Sequence, residues 1–153
     1  MSYDEIQNLT YLRAVLRESL RVTPVVPITA RVLGPGLNFA GFNIDRECWF
    51  VALNQFMSIS DEHYKDPTEF RPERWIRGHK MKEEASPFAS LPFGHGPRMC
   101  PGKRLAELEM QILICKMVRS FKIGWSPDQP PLGYIPGFVN KPDGPVKLTL
   151  VKH

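Results

Sequence analysis

The sequence has 153 residues, enough for one domain that buries about two-thirds of its unfolded surface. Hydrophobic residues make up 42%, charged residues 24%, and the net charge is +4, an ordinary globular composition. It lacks the clustered basic face interleaved with aromatics that a nucleic-acid binder needs, and any apolar run of membrane-span length.

Fifteen prolines, about twice average usage, fall in residues 24–36, 67–101 and 127–145, so much of the chain is expected to be loop with a fixed course. The start, MSYDEIQNLTYLRA, mixes acidic and polar residues and reads as neither a signal nor a transit peptide. Three cysteines, Cys48, Cys100 and Cys115, are odd in number and lack zinc-site spacing, which points to reduced thiols rather than a disulfide scaffold.

In chain order, residues 8–22 predict a helix with Asn8 as N-cap and an apolar stripe of Leu9, Leu12, Leu16 and Leu20. Thr23-Pro24 ends it. Residues 25–56 read as short strands: two β-rich runs around Gly34-Pro35-Gly36, then CWFVAL. SISDEHYKDPTEFRPERW is turn-rich, with a helical turn near Asp61–Tyr64, and residues 76–92 have no periodicity. A loop that long inside a domain is usually functional. Residues 102–121 predict a second helix, apolar on so much of its girth that it should be buried. The tail predicts a hairpin turning at Pro142-Asp143-Gly144, followed by alternating Val146, Leu148 and Leu150. The fold class is therefore mixed, mainly α with small β-sheets (α+β), and the sparse amphipathic structure suits part of a larger protein.

The densest chemistry lies in SLPFGHGPRMCPGKRLAELEMQ, residues 90–111. A thiolate is a soft metal donor, favoured at a helix N-terminus and near cations. Cys100 precedes the second helix, whose expected first residue is Pro101, and Arg98, Lys103 and Arg104 surround it. Gly94, Gly96 and Gly102 remove bulk, so a flat, wide group could approach the backbone. A buried structural cysteine is the plain alternative. A phosphate loop is another, but Gly94-His95-Gly96-Pro97 lacks the required third glycine and puts a proline in the way.

Taken whole, Phe93-x-x-Gly96-x-Arg98-x-Cys100-x-Gly102 resembles the haem-binding loop of the cytochrome P450 family. The resemblance implies haem b, with Cys100 as the axial ligand of the iron, whose thiolate promotes O–O cleavage. It puts Arg98 against a haem propionate, Phe93 beside the sulfur, and Gly94 and Gly102 in the cofactor cradle. Glu18-Ser19-Leu20-Arg21, by default a surface ion pair worth a few tenths of a kcal/mol, resembles the Glu-x-x-Arg of the family's K helix. FRPERW (70–75) resembles the segment supplying its third partner, Arg74, and the resemblance implies that Glu18, Arg21 and Arg74 form a buried, structural charge cluster behind the haem. By the same analogy Arg31 reaches a second propionate, and Val25, Val26, Ile28, Phe138 and Val139 face substrate.

The resemblance spans the chain: 1–23 the K-helix region, 24–75 strands and the approach to the meander, 76–104 meander and cysteine loop, 102–121 the helix, and 122–153 the C-terminal hairpin. The family's central helix, with an acid followed by threonine, has no counterpart here, so the chain looks like a C-terminal fragment, inactive by itself. The implied activity is a monooxygenase inserting one atom of O2 into an apolar substrate, steroid-like or xenobiotic. Arg13 and Arg17, spaced i, i+4 on one helix face, resemble the mitochondrial branch, where such residues dock an acidic ferredoxin. That implies the mitochondrial inner membrane; the alternative is the endoplasmic reticulum with a flavoprotein reductase. A non-catalytic haem- or ferredoxin-binding fragment is the alternative function.

Overall fold

The computed structural model describes residues 3–83 and 85–153. Helix α1 (Tyr3–Gln7), which the sequence pattern did not suggest, precedes α2 (Thr10–Val22). Asn8 does not cap α2: the N-cap is Leu9, and the Asn8 carbonyl instead accepts from the Thr10 N–H at 2.8 Å. The inward face of α2 also differs from the leucine stripe. Ala14, Leu16, Glu18 and Arg21 are buried, whereas Leu9 is exposed. The Glu-x-x-Arg pair thus points into the molecule rather than at water.

Strands β1 (Thr29–Leu33) and β4 (Cys48–Ala52) pair antiparallel, with Arg31 opposite Phe50. Between them, what the sequence suggested as one run is a second hairpin, β2 (Leu37–Phe39) and β3 (Phe42–Ile44). Ala40 and Gly41 reverse the chain there with φ of 50° and 85°, the left-handed pair that matches strand twist in a tight hairpin. Helix α3 (Asn54–Ser58) follows β4 directly, where only strand was expected, while Asp61–Tyr64 forms a single turn in which the Ser60 carbonyl accepts from the His63 and Tyr64 N–H groups at 3.2 and 3.1 Å.

A 3₁₀ turn at Pro72–Trp75 and a loop that holds no helix or strand among the described residues lead to a second 3₁₀ turn at Gly96–Arg98. Helix α4 (Lys103–Ser120) then runs straight into β5 (Phe121–Trp125). The tail is not one hairpin. β6 (Tyr134–Ile135) pairs with β7 (Lys141–Pro142), and β8 (Leu148–Lys152) returns to pair with β5. The expected turn at Pro142-Asp143-Gly144 instead joins β7 to the last strand, with Asp143 accepting from the Gly133 N–H at 3.1 Å.

The expectation that residues 102–121 are buried is also corrected. Along α4 only Gln111 and Cys115 are buried among the described residues, while Leu105, Leu113 and Val118 are more than half exposed. Among the described residues α4 packs chiefly on α2 and β5, which leaves these apolar side chains largely uncovered.

The largest fully buried side chains are instead Arg21, Arg74 and Glu18. Glu18 Oε1 accepts from Arg21 Nη2 (2.8 Å), Arg74 Nε (2.9 Å) and the Arg71 N–H (2.9 Å). Its Oε2 accepts from Arg21 Nε (2.9 Å) and the Trp75 indole (2.8 Å). Arg21 Nη1 donates to the carbonyls of Ser58 (2.7 Å) and Pro67 (2.6 Å), and Arg74 Nη1 to that of Lys65 (3.2 Å). Arg74 also pairs with Glu83, so two carboxylates balance two guanidiniums. The buried Tyr64 ring receives both cations on its face, Arg21 at 4.8 Å and Arg74 at 5.7 Å.

Burial alone would raise Glu18, but hydrogen bonds from Arg21, the Arg71 N–H and Trp75, with the Arg21 charge, outweigh it and hold the carboxyl below its ordinary value. A carboxyl depressed in the folded state contributes stability above its unfolded value and loses it as pH falls through the folded one. In the native polypeptide, urea midpoints should therefore drop below about pH 4, and Glu18→Gln should flatten that acid limb. At neutral pH, Glu18→Ala leaves Arg21 and Arg74 buried without their shared partner and should cost about 3–5 kcal/mol in urea unfolding. Breaking the exposed Lys147–Asp128 pair with Lys147→Ala should leave the midpoint unchanged.

Candidate functional site

The cysteine loop is shaped by its own backbone. The Gly94 N–H donates to Leu91 at 3.0 Å, the Met99 N–H to Gly96 at 3.0 Å, and the Cys100 N–H to Phe93 at 2.8 Å. These turns fold the loop back so that Phe93 and Cys100 meet. Gly94 and Gly96 supply φ of 74° and 73°, which side-chain-bearing residues rarely adopt. Gly102 acts differently: a Cβ there would sit 3.9 Å from Cys100 Sγ, covering one side of the sulfur.

Pro101 does not start α4 as expected. It forms a turn with Gly102, which is the N-cap, and the helix begins at Lys103. Cys100 therefore lies just outside the first helical turn, with its carbonyl accepting from the Lys103 N–H at 3.4 Å. The residue is exposed.

Cys100 lines a concavity of about 480 Å³. Val25, Val26, Arg31, Phe93, Gly94 and Arg98 line it together with Cys100. Leu20, Thr29, Pro92, Ala106 and Met110 complete the wall, and the sequence reading did not include them. Thr29 and Arg31 share one face of β1, and Ile28, which precedes the strand, does not line the concavity. Ile28 is half-buried outside the concavity, and Phe138 and Val139 are exposed on the β6–β7 loop, also outside its lining.

Arg31 Nη2 reaches the Arg98 carbonyl at 3.4 Å, so residues distant in sequence share one rim. Among the described residues no carboxylate pairs with the Arg31 or Arg98 guanidinium. Nor does any group of three or more His, Cys, Asp or Glu form a metal-ligand cluster there. A metal held at Cys100 would bring its other ligands with it. A planar macrocycle carrying acidic groups fits this donor set: one sulfur, an apolar wall and two unneutralised cations.

On the other side of Phe93, Arg13 and Arg17 stand exposed on α2. With Arg104 of α4 they border a hollow of about 230 Å³ between α1, α2 and α4. Arg17 also borders a groove shared with Trp75, Phe93, His95 and Lys103, whose ammonium lies 5.9 Å from the Phe93 ring centre. Phe93 and Gly94 thus separate a basic face from the sulfur-bearing concavity. The sequence reading missed Glu83, Tyr64 and Trp75 in the buried charge network; their spacing from Glu18 carries no periodic signal.

The family sequence model described as "Cytochrome P450" matches residues 1–149. "Cytochrome P450 302a1, mitochondrial" of Drosophila melanogaster is 35% identical over 98% of the chain and 30% of its own length. "Sterol 26-hydroxylase, mitochondrial" of Homo sapiens is 32% identical over 98% of the chain and 29% of its own. "1,25-dihydroxyvitamin D(3) 24-hydroxylase, mitochondrial" of Mus musculus is 35% identical over 83% of the chain and 24% of its own. The chain thus spans less than a third of the length of these relatives. With the match running through helix α2, the buried charge network and the cysteine loop, the chain belongs to the cytochrome P450 family.

Proposed function

We propose that this chain forms the thiolate side of a monooxygenase that inserts one oxygen atom from O2 into an apolar, steroid-like substrate, with haem b as cofactor. One observation carries the reading. Cys100 is exposed and lines an apolar concavity together with Arg31 and Arg98, and among the described residues no carboxylate pairs with either arginine. When bound, a thiolate-ligated haem supplies an electron-rich iron that favours O–O cleavage.

The chain's own residues have separable tasks. Cys100 would hold the iron through its sulfur. Arg31 and Arg98 would bind the cofactor's acidic groups with charge-assisted hydrogen bonds. Val25 and Val26 give substrate a dry wall, and Glu18, Arg21 and Arg74 hold α2 against the turns that support the loop. The steroid-like class is carried over from the relatives named as sterol and vitamin D hydroxylases.

Arg13 and Arg17 dock an acidic ferredoxin on the face opposite the concavity, as charge complementarity suits a transient redox partner. The mitochondrial names of the relatives support a mitochondrial location, for which we propose the inner membrane. Among the described residues no helix is long and apolar enough to cross a membrane.

Purified from its native polypeptide, the protein should show the absorbance of a thiolate-ligated haem, and Cys100→Ser should abolish that signature. Haem bound unchanged in Cys100→Ser would overturn the assignment. Arg31→Leu and Arg98→Leu should each speed haem loss by roughly 10–100-fold, the weight of one charge-assisted hydrogen bond, measured by transfer to a haem scavenger. Arg17→Glu should raise the ferredoxin concentration needed for half-maximal reduction and flatten its salt dependence. Reduction by a small chemical reductant should stay unchanged in that variant; equal loss with both donors would remove the docking role.

A further inference from the structure

The segment Pro24-Val25-Val26-Pro27 links α2 to β1 outside any strand ladder, yet it presents Val25 and Val26 to the Cys100 concavity. Its carbonyls are held by two residues from elsewhere. Asn140 donates its backbone N–H to Val25 O at 2.8 Å and its amide Nδ2 to Pro24 O at 2.8 Å. The Gln55 N–H, from α3, donates to Pro27 O at 3.0 Å. The two also bond to each other, Asn140 Nδ2 to Gln55 Oε1 at 2.9 Å, and Gln55 Nε2 donates to the Tyr134 hydroxyl at 2.9 Å.

Asn140 is 9% exposed, whereas its neighbours Phe138 and Val139 are 84% and 55% exposed. The β6–β7 loop therefore has an apolar tip and a buried polar anchor. Asn140 Oδ1 is buried with no hydrogen-bond partner among the described residues, so the side chain acts here entirely through its N–H₂ donor.

We infer that Asn140 and Gln55 form a clasp that sets the position of the Val25–Val26 wall, and so are positioning residues for the apolar group bound over Cys100. This rests on the haem-thiolate reading above. The two valines are exposed and lie on a segment with no strand partner. Rigidity there comes from the clasp. A ligand large enough to touch that wall feels the clasp; one confined to the metal does not.

The test uses two probes on the haem-loaded native polypeptide, imidazole and 4-phenylimidazole, both coordinating the iron but only the second carrying an apolar tail. Affinity is read from the shift of the haem absorbance, and hydrogen exchange of residues 24–28 and 134–141 is followed in parallel. Asn140→Ala should leave haem content and imidazole affinity unchanged, weaken 4-phenylimidazole about tenfold, and speed exchange in both segments together. Gln55→Ala, which leaves both bonds from Asn140 to the segment intact, should give a smaller loss of the same kind and stands in if Asn140→Ala does not fold. Gln55→Glu, whose carboxylate still accepts from Asn140, should restore most of it.

Equal affinities for both probes in wild type and both alanine variants would overturn the clasp. Parallel loss of haem or imidazole binding would also overturn it, because the residues would then merely hold the fold together. Absence of any haem or imidazole signal in wild type would defeat the haem-thiolate reading itself and the clasp with it.

Discussion

The structure depends on a carboxylate that has been taken out of water. Glu18 is fully buried, and such a group is tolerated only when its lone pairs are occupied and its charge is compensated. Here its oxygens are surrounded by donors from α2 and from the Arg71–Trp75 stretch. Because the donors come from both sides, α2 and the 3₁₀ turn cannot separate without exposing unpaired charge to an apolar surround. The guanidiniums carry the constraint further, to the backbone carbonyls of Ser58, Lys65 and Pro67. A set of loops with little repeating structure is thereby given one course.

That arrangement explains how so small an apolar core can be accompanied by a defined site. Buried apolar residues are few among those described, and several are small: Ala14, Ala89 and Cys115. Hydrophobic burial alone would not specify the path of residues 59–102, which lack the periodicity that tells a face from its opposite. Directional hydrogen bonds to the buried ions do specify it. Beyond them the cysteine loop closes on its own glycines and on the Phe93–Cys100 backbone bond, leaving the sulfur open on one side. Phe93 then divides two environments, a basic face on α2 and α4 and an apolar concavity with cations at its rim.

Much of the candidate site could be read in the chain order. The cysteine loop is compact in sequence, so its glycines, arginine and aromatic ring announce themselves together, and the structure brings Phe93, Gly94, Arg98 and Cys100 around one concavity. The last strand was misassigned for the converse reason. Alternation at Val146, Leu148 and Leu150 marks a strand but does not name its partner, and β8 pairs with β5 across the intervening β6–β7 hairpin. Helix α4 was expected to be buried because its pattern is apolar on several sides, yet burial needs neighbours and this chain provides few.

By itself the sequence determined where helices α2 and α4 run, that a lone cysteine sits in a glycine-rich loop before the second of them, and which residue types surround it. These are local properties, set by side chains within a turn or two of one another. Only the tertiary structure decided that Glu83 joins the Arg74 side of the buried network, that the Arg31 guanidinium meets the Arg98 carbonyl 67 residues away, and that Asn140 grips the segment bearing Val25. Each of those pairs is distant in sequence, and nothing in the local pattern of either partner encodes the other. Their meeting follows from the cost of leaving buried ions and backbone carbonyls unpaired, which is assessed only when the whole chain closes.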